Sequence, residues 1–181
     1  MYNFCGRDSL KKRTANIIFC ALFVAIIAVC AQIMIPTPFF PITLQTFGIA
    51  LCGYTLGARK SAFSVLGYIL LGVLGMPIFS GFCGGFHHIT DPGGGFAAGF
   101  LPFAIFCGMA SGFNGKLKKI LIGILGATVM YCIGIAYFCL ITGTKILSPT
   151  ALVFLAIFLK DIIAVAISFY ISEIIKKRIL K

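Results

Sequence analysis

The sequence predicts an all-α membrane protein, a six-transmembrane-helix bundle with a glycine-rich outer loop. Three observations carry that expectation. Hydrophobic residues make up 60% of the 181 residues against 10% charged, with mean hydropathy +1.10. A soluble domain of this size needs far more charge on its surface, so lipid must be much of the solvent. The apolar residues fall into six runs, and the basic residues collect between them on one side.

The elements follow in order. Residues 1–13 form a cytoplasmic polar arm with Arg7, Lys11, Lys12 and Arg13. Residues 14–181 form one transmembrane domain. The spans are predicted at 16–35, 44–58, 61–79, 96–113, 120–141 and 152–175. A helix needs about 20 residues to cross a bilayer, so the second span is short. The first span has the basic start of a signal peptide. Its apolar run continues to Ile35 without a small-x-small cleavage pattern, so it is expected to be retained. Pro77 is expected to end or kink span three. Residues 80–95 are the long outer loop, uncharged until Asp91 and rich in glycine. Glycine-rich backbone at a membrane face is tolerated where it lines a cavity or lies against protein.

Thirteen of the fifteen basic residues lie on one side of this arrangement. They are the four of the arm, Arg59 and Lys60, Lys116, Lys118 and Lys119, and Lys176, Lys177, Arg178 and Lys181. Lys145 lies on the other side and Lys160 within span six. The positive-inside rule then predicts a multi-pass cell-membrane protein with both termini cytoplasmic. Charges dispersed among apolar spans form no single basic face, which argues against nucleic-acid binding. The eight cysteines make no C-x-x-C pair and read as small apolar packers.

Ionisable groups inside the bilayer are few. Lys160 and Asp161 lie about ten residues from the outer end of span six, a depth of about 15 Å. A charge there costs at least ~2.5 kcal/mol and needs a partner or a wet cavity. Neighbours on a helix point about 100° apart, so the two are expected to be poorly placed to neutralise each other. One reading is a self-satisfying Lys–Asp pair of bent geometry. The other is a lysine holding an anionic ligand group and an aspartate accepting ligand N–H bonds. Gln45 is the other buried polar candidate, toward a ligand or a neighbouring helix. His87 and His88 are expected outside, without further ligands for a metal. Asp91-Pro92-Gly93 reads as turn chemistry. No P-loop, G-x-S-x-G, H-E-x-x-H or paired-carboxylate constellation is present, so the chain reads as no enzyme, without cofactor.

Four small-residue pairs recur at four-residue spacing: Ala21/Ala25, Gly53/Gly57, Gly95/Gly99 and Gly108/Gly112. Such pairs let helix backbones approach closely, by default inside the bundle.

Pro41-Ile-Thr-Leu-Gln-Thr-Phe-Gly48, Gly53-Tyr-Thr-Leu-Gly-Ala-Arg59, Tyr68-Ile-Leu-Leu-Gly-Val-Leu-Gly-Met-Pro-Ile-Phe79 and Asp91-Pro-Gly-Gly-Gly-Phe96 stand in this order. Together they resemble the BioY family, the biotin-binding S components of energy-coupling factor (ECF) transporters. The resemblance covers essentially the whole chain. It implies a vitamin-uptake subunit with an outward-facing site, capped by the loop between spans one and two and by the glycine-rich loop. Cys83, Gly84, Gly94 and Phe96 thereby join Lys160, Asp161 and Gln45 as expected ligand-binding residues. It also implies a transmembrane coupling protein and two ATPase subunits as partners, the coupling protein docking on Ala21 and Ala25. The chain departs from the family at Cys83, where Asn is frequent, and at Phe96-Ala97. Span six carries adjacent Lys160-Asp161 instead of Asp-x-x-Lys. If Asp161 is the family aspartate, Ala164 replaces the lysine. If Lys160 is the family lysine, Ile157 replaces the aspartate. The expected ligand is biotin or a biotin-like carboxylate such as lipoate. A membrane enzyme is the less favoured alternative.

Overall fold

In a computed structural model, residues 4–36, 41–143 and 150–179 are described. Lys145 and Lys181 lie outside them. Chain order gives α1 (Phe4–Gln32), β1 (Met34–Ile35), β2 (Ile42–Thr43), α2 (Gln45–Leu56), α3 (Ala58–Val73), α4 (His87–Thr90), α5 (Gly94–Ala110), α6 (Lys116–Thr142) and α7 (Thr150–Ile179). By length and composition, stretches of three helices can cross a membrane: Arg13–Gln32 in α1, Lys116–Thr142 (α6) and Val153–Arg178 in α7. The helix α5 is shorter and apolar.

Several boundaries differ from expectation. The helix α1 starts at Phe4, so residues 4–13 of the polar arm are helical. The helix α3 ends at Val73, before Pro77, because Gly75 takes a positive φ of 99°. The loop 80–95 contains one helical turn, α4. An all-α expectation also missed a two-residue antiparallel ladder, Met34 opposite Thr43 and Ile35 opposite Ile42.

The short α2 is the centre of the molecule. Ten of its twelve residues are buried, and it packs against α1, α3, α5 and α7. Two glycines allow this. Gly57 sits at φ +81° and ends α2 directly into α3, a backbone that side chains rarely adopt. Gly53 lies against Cys107, whose Cβ would stand 2.5 Å from any Cβ added there. Gly108 presses in the same way on Ala58. The α2–α5 and α3–α5 crossings are therefore backbone-close, as small residues permit. Tyr54, Tyr68, Phe103 and Phe169 fill the core between them.

Side-chain bonds gather the element ends. At one end, Lys60 donates to Asn16 Oδ1 (2.6 Å), Tyr54 donates to the Lys119 carbonyl (3.1 Å), and Lys119 pairs with Glu173 (3.6 Å). At the other, Gln32 donates to the Phe79 carbonyl (3.0 Å) and Tyr137 to the Ile89 carbonyl (3.1 Å).

Candidate functional site

A cavity of about 280 Å³ opens at the second end. Its floor comes from the start of α2 and the middle of α7, its walls from α5 and α6, and its rim from the loop 79–93. Lys160, Asp161, Gln45 and Phe96 all line it.

Among the described residues Asp161 is the buried charge, 1% exposed. Thr46 donates to its Oδ1 (2.6 Å) and Tyr131 to its Oδ2 (2.7 Å). Lys160 Nζ lies 2.7 Å from the same Oδ1 and donates to the Thr43 carbonyl at 2.5 Å. The expectation that these neighbours are poorly placed to neutralise each other is therefore corrected, and the contact fits the other reading, a Lys–Asp pair of bent geometry. Their Cβ atoms diverge, but the flexible four-carbon lysine stem swings the ammonium back onto the carboxylate. A buried carboxylate is tolerable because it is paired and hydrogen-bonded on both oxygens.

Gln45 donates to the Tyr68 hydroxyl (3.1 Å), which donates to the Ile78 carbonyl (3.0 Å). The base of α2 is thereby tied to the start of the glycine-rich loop. Phe96 lies edge-on to Tyr131, with centroids 5.6 Å apart, and stacks on Phe154 at 5.8 Å. With Phe100, Met130 and Ile157 these rings make the cavity wall mostly apolar.

The remaining expected residues sit elsewhere. Cys83 is exposed on the loop, its Sγ 3.7 Å from the Gly81 carbonyl. Gly84 packs on the Met76 carbonyl and Gly94 on the Ile89 carbonyl, each too close for a Cβ. These three are not among the cavity's lining residues. Ala21 and Ala25 are exposed on α1, whose core-facing residues are Phe23 and Ile27.

The loop contributes groups that sequence reasoning had given other roles. His88 lines the cavity and stacks on Phe79, with ring centroids 4.7 Å apart. Burial there pushes its imidazole below the ordinary value, against the pull of Asp91. Asp91 makes its turn, accepting from Gly94 N at 2.8 Å, and lines the cavity as well. Thr46 and Tyr131 were missed. Thr46 follows Gln45 in a segment already singled out. Tyr131 is one tyrosine in an apolar helix, and no sequence signal marks it.

The sequence compares closely with known proteins. The BioY family profile matches residues 7–181. A probable biotin transporter BioY of Pyrococcus horikoshii is 43% identical over 114 residues, 63% of this chain and 68% of the relative. The biotin transporter BioY of Thermotoga maritima is 34% identical over 121 residues, 66% and 72% of the two chains. In fold, the chain is similar to the crystal structure of an S component for biotin from an ECF-type ABC transporter. The TM-score is 0.84 at 21% identity, over 93% of this chain and 94% of that one. With the family profile matched from Arg7 to the last residue, on top of the motif order and the fold, the chain belongs to the BioY family.

Proposed function

We propose that this chain is the substrate-binding S component of an ECF-type transporter for biotin, and that Lys160 and Asp161 together bind the ureido ring. It is a binding subunit and not an enzyme. The observation that carries the ligand reading is the 2.7 Å separation of Lys160 Nζ and Asp161 Oδ1 at the cavity surface. A lysine has three donors, and a carboxylate has about four acceptor positions. Lys160 spends two donors on Thr43 and Asp161, and Asp161 spends three positions on Thr46, Tyr131 and Lys160. One lysine donor is left, and one acceptor position on Asp161 Oδ2, since Oδ1 already takes Thr46 and Lys160. That pair complements an N–H next to a C=O, the edge of a cyclic urea. It fits a carboxylate poorly, because Asp161 would repel a second negative charge so near. This favours biotin over lipoate, whose dithiolane ring offers no N–H. The apolar rings of Phe96, Phe154 and Phe100 suit the rest of the ligand. The ATPase pair and a transmembrane coupling protein would supply the energy, the coupling protein meeting Ala21 and Ala25. The bundle crosses the cell membrane six times with both termini cytoplasmic, and the glycine-rich loop lies outside.

Binding of labelled biotin to the purified subunit tests this. Hydrogen bonds to charged groups are worth about 1.5–3 kcal/mol, so Asp161→Asn should weaken biotin and desthiobiotin by about 10- to 150-fold. Lipoate, bound poorly by the wild type, should change little. Equal loss for all three ligands, with the fold intact by thermal unfolding, would remove Asp161 from urea recognition.

A further inference from the structure

The rim of the cavity has an outer surface that the binding site does not use. Residues 61–90 contain no lysine, arginine, aspartate or glutamate. Within them, α3 exposes Phe63, Leu66 and Leu70 and, just past its end, Leu74, spaced three or four residues apart. On the six-span arrangement proposed above, this exposed apolar stripe would face acyl chains. Exposed apolar residues also follow α3. Gly85 N donates to the Gly72 carbonyl (2.7 Å), and Gly84 packs on Met76, so the loop is folded back against the end of α3. There it presents Phe82, 72% exposed, and Phe86, 67% exposed.

Phe82 is held in place at a conformational cost. Its φ is +56°, the left-handed region, and it is the one non-glycine with positive φ among the described residues. A bulky residue rarely adopts that region unless its surroundings hold it there. Gln32 at the end of α1 holds the turn from both sides, accepting from Phe82 N (3.0 Å) and donating to the Phe79 carbonyl (3.0 Å). The result is a two-sided strip. Phe79, Ser80 and His88 face the cavity. Phe82 and Phe86 face away from the protein. In water, two exposed phenylalanines forgo the burial that such large apolar rings favour.

We propose that this loop rests on the membrane surface at the cavity end, with Phe82 and Phe86 inserted at the boundary between acyl chains and headgroups. The occupant is lipid because the patch adjoins the end of α3, whose exposed face is apolar, with no lysine, arginine, aspartate or glutamate between them. Lipid thereby holds the outer face of the strip whose inner face walls the ligand cavity. This rests on the membrane orientation proposed above.

The chain has no tryptophan, so a single one is a clean reporter. Phe82→Trp, Phe86→Trp and, as reference, Leu125→Trp on the exposed face of α6 are reconstituted separately into phosphatidylcholine vesicles. A second set of vesicles contains acyl-brominated phosphatidylcholine. Phe82→Trp and Phe86→Trp should lose emission to the brominated lipid, more strongly than to aqueous iodide added outside, and should be blue-shifted relative to free tryptophan. Quenching by iodide without quenching by lipid places the loop in water and overturns the proposal. Quenching by neither places it against protein, such as a second copy, and overturns it too. If Leu125→Trp also escapes the brominated lipid, the membrane reading itself fails. If Phe82→Trp does not fold, Phe86→Trp decides alone.

Discussion

Tyr131 shows how much of a binding site can hang on one hydroxyl. Its O–H is the partner of Asp161 Oδ2, and its ring is wedged between Phe96 and Phe158. Tyr131→Phe keeps the rings packed and leaves a buried carboxylate oxygen short of a donor. An unsatisfied buried polar group costs about 1–3 kcal/mol, more when charged. The detergent-solubilised variant should unfold at lower temperature than wild type, and biotin should restore part of the difference by binding the folded state. Unchanged thermal unfolding would show that Asp161 does not depend on this bond. At this scale the sequence was half legible. Lys160 and Asp161 stood out because charge inside a bilayer must be explained. Their mutual pairing did not, because it turns on the lysine's rotamers, which helical spacing does not fix. Tyr131 and Thr46 were hidden because a hydroxyl in an apolar run advertises no partner until the fold brings Asp161 within 2.7 Å.

Helices carry the second level of specification. The long apolar runs that became α6 and α7 were plain, since sustained hydrophobicity leaves few alternatives. The split of 44–79 into α2, Gly57 and α3 was legible in outline but not in its ends. Gly57 and Gly75 stop their helices through positive φ, a choice that the surrounding fold makes. The small-residue pairs also divided. Gly53 and Gly108 are spent on internal crossings, whereas Ala21 and Ala25 stay on the outside of α1. An exposed small-residue face on an otherwise bulky helix leaves room for another backbone. Ala25→Trp should therefore abolish co-purification with the coupling protein while leaving biotin affinity of the isolated subunit within about twofold, a change of about 0.4 kcal/mol. Ala21→Trp should behave alike. Loss of biotin binding in step with loss of assembly would make the alanines part of this chain's own packing.

For the whole molecule, the Lys60–Asn16 and Lys119–Glu173 contacts lie at one end and the cavity toward the other. Lys160, Thr43 and the loop meet toward that second end. In intact cells, on a cysteine-free background, His87→Cys should react with an impermeant maleimide added outside. Lys118→Cys should react only after the membrane is opened. The reverse would invert the molecule and place its cavity toward the cytoplasm. Bonds between the α2 region and α7 also join distant parts of the chain: Thr46 to Asp161 and Thr43 to Lys160 at the cavity, and Phe47 to Ser168. Each spans more than 110 residues. During synthesis α2 is made long before α7, so Thr43 and Thr46 must wait for their partners until the final helix leaves the ribosome. The pocket therefore comes into being last and all at once. A nascent chain stalled before Lys160 has α1 to α6 and only the α2 side of its cavity floor. Ligand capture thus reports that translation has passed α7, and biotin supplied during expression can rescue only chains that have reached that point.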